Sequence, residues 1–184
     1  MKIRCSFVLP ILLALACAAC FSAPEPPADL HFERFEQSGN FYALTFKSSV
    51  DFEDPAWNEG GSAMPPRLIC SLDDDINFSN DHVQRRRLYG SIRPDTVRVV
   101  GDKLSDDHKT SISYTVEVDF EETKDNGTST HYLTPTEISS LLASRTDVSC
   151  KIIRTFYFST TRTYYSNTMK VPVKALLDAV NIDS

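Results

Sequence analysis

The clearest pattern along the chain is an alternation of apolar and polar residues. In the run Ile112-Ser-Tyr-Thr-Val-Glu-Val-Asp-Phe120, Ile112, Tyr114, Val116, Val118 and Phe120 fall on one side and Ser113, Thr115, Glu117 and Asp119 on the other. A strand points successive side chains to opposite faces, so this run predicts a strand with one buried and one solvated face, as in an antiparallel sheet. Asp125-Asn126-Gly127 then marks a turn, with a returning strand over 128–133. Segments 31–37 and 41–50 flank Ser38-Gly39-Asn40, a second hairpin signal. Segments 86–92 and 96–100 flank Arg93-Pro94-Asp95, a third turn. Further strands are expected over 67–72, 148–159 and 163–171. About eight or nine short strands at this spacing predict a mainly β fold, an antiparallel β-sandwich or a barrel-like sheet.

Two helical patterns interrupt the strands, so an α+β arrangement is the alternative. Thr134-Pro135-Thr136-Glu137 combines an N-cap Thr, Pro at the first helical position and Glu three residues after the cap. Ile138, Leu141 and Leu142 then share a face. Near the C-terminus, Val173, Leu176, Leu177 and Val180 recur at helical spacing, which predicts a short amphipathic helix docked on the sheet. The segment 53–66 has no apolar period. It carries Pro55, Trp57, Gly60, Gly61, Pro65 and Pro66, and reads as a long loop.

The first residues follow another pattern. Lys2 and Arg4 precede an apolar run over 7–21, and small residues crowd 14–23. A basic start, an apolar stretch and a small-residue zone are the parts of a secretory signal. The run is short for an uncleaved anchor, which needs about 20 consecutive apolar residues. Ala16-Cys17-Ala18 fits a general cleavage pattern that would release a soluble product. Ala18-Ala19-Cys20 and Leu15-Ala16-Cys17 instead resemble the lipobox of bacterial lipoproteins, although neither has the family's Leu three residues before the Cys. That resemblance implies that a cysteine becomes the acylated first residue.

Cysteine arithmetic separates these schemes. The chain holds Cys5, Cys17, Cys20, Cys70 and Cys150. Acylation at Cys20 leaves Cys70 and Cys150 as an even pair of thiols. Acylation at Cys17, the alternative, or cleavage after Ala18 leaves Cys20 as an odd thiol, a liability in an oxidising compartment. The count therefore favours Cys20 as the lipidated residue and a disulfide between Cys70 and Cys150. The expected organisation is a signal over 1–19, a Pro-rich tether over 20–29 and one β-rich domain over 30–184. The strands carrying the two cysteines, with a short helix between them, resemble an immunoglobulin-like sandwich. There a disulfide joins the two sheets; here Trp57 precedes the first Cys, and Val148 stands where that family has Tyr.

The formal charge is −6, and loss of Lys2 and Arg4 with the signal takes it to −8. A net acidic domain lacks the basic footprint of nucleic-acid binding. Within it, Arg85-Arg86-Arg87 with Arg93, Arg98 and Lys103 forms a basic island. Arg85, Arg87 and Arg93 are candidates for an anionic partner, because guanidinium forks match phosphate and carboxylate. Pairing with acidic residues around Asp74 is the plainer alternative. Asp73-Asp74-Asp75-Ile-Asn77-Phe-Ser79 spaces oxygens as a calcium loop does, but Phe78 replaces the turn glycine and Gln84 the bidentate glutamate. A solvated loop is expected, with no metal and no cofactor. His31, His82, His108 and His131 show no metal-ligand spacing. Phe156, Tyr157, Phe158, Tyr164 and Tyr165 offer either strand packing or a platform for sugar or peptide. Asn77-Phe-Ser79 and Asn126-Gly-Thr128 have the form of glycosylation sequons. No catalytic motif is present in the sequence.

These features predict an envelope lipoprotein facing the periplasm or exterior of a bacterial cell, with a non-catalytic binding or assembly domain. Its partners would be the membrane, reached through the lipid, and an envelope protein or anionic polymer. The alternatives are a soluble secreted or periplasmic factor, or an enzyme whose site assembles only in three dimensions.

Overall fold

The computed structural model describes residues 26–54, 64–79, 82, 84–100, 111–124, 128–156 and 163–181. The strands are β1 (Leu30–Ser38), β2 (Phe41–Ser48), β3 (Arg67–Ser71), β4 (Arg86–Ser91), β5 (Val97–Val100), β6 (Ile112–Lys124), β7 (Ser129–Tyr132), β8 (Asp147–Thr155), β9 (Thr163–Tyr165) and β10 (Met169–Pro172). The helices are α1 (Pro135–Leu142), between β7 and β8, and α2 (Val173–Val180), directly after β10. The fold is mainly β, as the alternation predicts. Among the described residues the ten strands form one antiparallel sheet of order β1-β2-β6-β4-β3-β8-β10, which is not closed into a barrel.

The long strand β6 organises the sheet. Residues 112–115 pair with both β2 and β5, and residues 121–122 pair with both β4 and β7. Both edges of β6 are therefore filled at each end. Its apolar positions, Ile112 to Phe120, all lie in the core. Leu44 and Phe46 of β2, Leu68 of β3, Leu88 of β4 and Ile152 of β8 join them. Leu176, Ala179 and Val180 of α2 and Ile138 and Leu142 of α1 cover this face. Gly90 of β4 lies so close to β6 that a Cβ there would overlap the Glu117 carbonyl.

Two departures from strict alternation have local causes. In β1 the apolar positions run Leu30, Phe32, then Phe35. The register against β2 shifts between Phe32 and Arg34, and this bulge returns Phe35 to the core. The single strand expected over 163–171 is two strands. Ser166 accepts the Ile152 N–H on its own hydroxyl (2.9 Å), and the register against β8 moves by one residue between β9 and β10. A side chain thus replaces a backbone acceptor at the break.

Cys70 and Cys150 are joined, closing a span of 80 residues. They face each other on the adjacent strands β3 and β8. The bridge therefore staples neighbouring strands of one sheet rather than two sheets, which departs from the immunoglobulin-like arrangement. In the chain-entropy account, a loop of that length is worth about 4 kcal/mol of stability.

Two residues of the expected tether, Ala28 and Asp29, are bonded to the sheet domain. Ala28 is fully buried and its N–H donates to the Tyr164 hydroxyl (2.6 Å). The Asn167 N–H donates to the Ala28 carbonyl (2.9 Å), and the Asp29 N–H donates to Ser49 Oγ (2.9 Å). The expected signal, residues 20–25 of the expected tether including Cys20, and Trp57 lie outside the described residues. Among the described residues no helix is long and apolar enough to cross a membrane.

Candidate functional site

Two recesses gather polar side chains. The first lies on the outer face of β8 and β9, opposite the core. Alternation that turns Cys150 and Ile152 inward turns Ser149 and Lys151 outward. Tyr165 likewise points out, while its neighbour Tyr164 is buried. The acidic loop after β3 forms the facing wall. Ser71, almost wholly buried, lies within hydrogen-bond distance of the Asp75 carbonyl (2.6 Å) and of Gln84 Oε1 (2.8 Å). The Gln84 amide donates to the Asn77 carbonyl. Asp75 and Asn77 each accept the N–H two residues on, at 2.8 and 3.0 Å. Such turns fix the loop from within. Between loop and strands lies a groove of about 480 Å³, lined by Ile76, Phe78, Ser149, Lys151, Tyr165 and Thr168, among others.

The loop's carboxylates are engaged with basic side chains and backbone amides. Asp73 Oδ1 meets Arg86 Nε at 3.0 Å, Asp74 meets Arg145 at 2.7 Å, and Asp75 meets His82 at 3.1 Å. Among the described residues no group of three or more metal-ligating side chains converges.

The second recess, of about 750 Å³, lies between α1, the loop at Asp73 and Asp74, and the ends of β4 and β6. Arg86, Arg145, Glu122 and Glu137 line it. Arg85 and Arg86 both reach Glu122, at 3.2 and 3.8 Å. Arg87 bonds Glu121, whose side chain is only 9% exposed, and lies over the Tyr89 ring. Glu137 completes the capping box of α1 and sits 3.3 Å from His131. The Thr134 backbone N–H, then its hydroxyl, then His131, bring the Glu137 carboxyl down to about 2.

The three arginines singled out from sequence are not brought together. Arg85 and Arg87 sit at the start of β4 against carboxylates. Arg93 is exposed in the turn beyond the other end of that strand, about 20 Å away along the chain. Among the described residues its side chain has no ion-pair partner. Of the aromatic candidates, Tyr164 serves the core and Tyr165 the outer groove, whereas Tyr157 and Phe158 lie outside the described residues. Sequence reasoning missed Lys151 and Ser149. Their signal was a pair of polar residues at successive outward positions, between the inward Val148, Cys150 and Ile152. Elsewhere, burial first, then Glu121 and Glu117, raises the Asp119 carboxyl. Burial also lowers Arg154, which lies on the core face of β8. Neither group lines either recess.

No family model, curated protein or solved structure matches the chain.

Proposed function

We propose that the chain is an exported, lipid-tethered envelope module that binds or positions a partner and does not itself catalyse a reaction. The observation that carries this reading is the position of Ala28. Eight residues after Cys20 the chain is already locked into the core, through Tyr164 and Asn167. A fully extended segment of that length spans about 29 Å, so an acyl group on Cys20 would hold this end of the sheet against the bilayer. The charged recess lies at the other end. Leu30 pairs through Ser48 to Ile112, whereas the recess sits at Glu122, about 30 Å further along β6. A short leash at one end and a polar recess at the other suit a module displayed outward from a membrane.

The non-catalytic reading draws on the ionisable groups. In the charged recess, Asp73, Asp74 and Glu122 are matched to Arg86 and Arg145, and Glu137 is held by the cap of α1. General acid–base chemistry requires a group poised near the working pH and aimed at open space. The Cys20→Ser variant tests the tether. It should leave the membrane fraction and appear in the soluble fraction with an unchanged Tm. Retention in the membrane would contradict the reading.

A further inference from the structure

We propose that the outer-face groove between Phe78 and Tyr165 is a binding site for an acidic saccharide. The inference rests on the reading of the chain as a binding module and names the class of ligand.

The groove combines three features. The first is a cation held for a ligand. Lys151 is half-buried on β8, with its ammonium 5.9 Å from the centre of the Phe78 ring. Among the described residues no carboxylate lies within ion-pair distance of it. The neighbouring Lys170, by contrast, is bound to Asp147 (2.8 Å) and Ser149 (3.0 Å). The second is a pair of aromatic side chains on opposite sides, Phe78 from the loop and Tyr165 from β9. Aromatic surfaces take the apolar C–H faces of sugar rings. The third is a rim of neutral hydrogen-bonding groups, Asn77, Ser79 and Thr168, which match ligand hydroxyls.

The wall is built before any ligand arrives. Ser71 and Gln84, both buried, peg the loop onto the sheet. A wall fixed in advance lowers the ordering cost of binding. At about 480 Å³ the groove falls in the range of small-ligand sites, about 300–1,000 Å³. A purely apolar ligand would bury the ammonium without a partner, and a bare anion would leave the aromatic pair unused. A sugar bearing a carboxylate uses all three features.

Calorimetry on the purified chain, with digalacturonate, its neutral counterpart galactobiose, and acetate as probes, tests this. Digalacturonate should bind with a Kd of about 1 mM or tighter. Galactobiose should bind at least about tenfold more weakly, and acetate should give no saturable heat. Lys151→Met, which keeps the apolar stem, should bring digalacturonate to the galactobiose level with an unchanged Tm. Tyr165→Ala should weaken both sugars. Equal binding of the two sugars, saturation by acetate, absence of heat with digalacturonate, or an unaffected Lys151→Met variant would each overturn the proposal. Acylation is read separately, from fractionation. A chain that is tethered but does not bind digalacturonate refutes the groove alone, and an untethered chain that binds it refutes the tether alone.

Discussion

Tyr114 shows at the scale of one residue what alternation discloses and what it hides. Its place on the inner face of β6 follows from the two-residue period. Its hydroxyl does not. That group accepts the Phe52 N–H (2.8 Å) and donates to Asp51 Oδ1 (2.9 Å), so it ties the chain after β2 onto the core. The partners lie 62 and 63 residues away in sequence, and only the fold brings them together. Removing the hydroxyl takes an acceptor from a buried N–H, a loss of about 1–3 kcal/mol. Tyr114→Phe should therefore lower Tm by several degrees with the fold intact, and an unchanged melting curve would contradict this account. The arginine run makes the same point. Its charge was visible in the sequence, but its matching to Glu121, Glu122 and Asp73 depends on which strands become neighbours. Arg154 breaks the apolar rhythm of β8 yet stays on the core face, and alternation alone does not foresee that.

Among the elements, α1 was the most legible, because its signals are local. The Thr134 side chain accepts the Glu137 N–H, and Glu137 accepts the Thr134 N–H (2.8 Å), the reciprocal pair that the sequence predicts. The hairpin at Gly39 was legible for the same reason, since its φ of 62° suits glycine. The bulge in β1 and the break at Ser166 were not legible, since each depends on the partner strand's register. The cap has a consequence in pH. The folded Glu137 carboxyl lies at about 2, below its ordinary 4.5. Between those values the unfolded chain binds more protons than the folded one, so stability rises with pH there. The contribution is fully present above 4.5 and is lost as pH falls through about 2. An NMR titration should show the Glu137 carboxyl shifting with a midpoint near 2, and Thr134→Ala, which removes the hydroxyl but keeps the backbone N–H, should raise that midpoint part of the way to 4.5. A midpoint near 4.5 in the unaltered chain would contradict the capping geometry.

For the whole molecule, the class of fold was legible and the order of strands was not. Period-two patterning gives antiparallel strands with one wet face. It does not say that β3 lies beside β8, or that β6 bridges two pairs of short strands. Cysteine counting supplied one long-range fact, the Cys70–Cys150 bridge, because chemistry limited the choices. The outer groove was hidden because its wall, the acidic loop, reads from sequence as a solvated turn or a metal loop. Its anchors, Ser71 and Gln84, acquire that role only when buried. The proposed tether draws on both sequence and structure. Counting cysteines favours Cys20, and a lipid there would lie eight residues before the buried Ala28. The mass of the mature N-terminal peptide of the exported chain tests this most directly. The account predicts a first residue at Cys20 carrying a diacylglyceryl group and an amide-linked acyl chain. An unmodified N-terminus, whether at Ala19 or elsewhere, would contradict it.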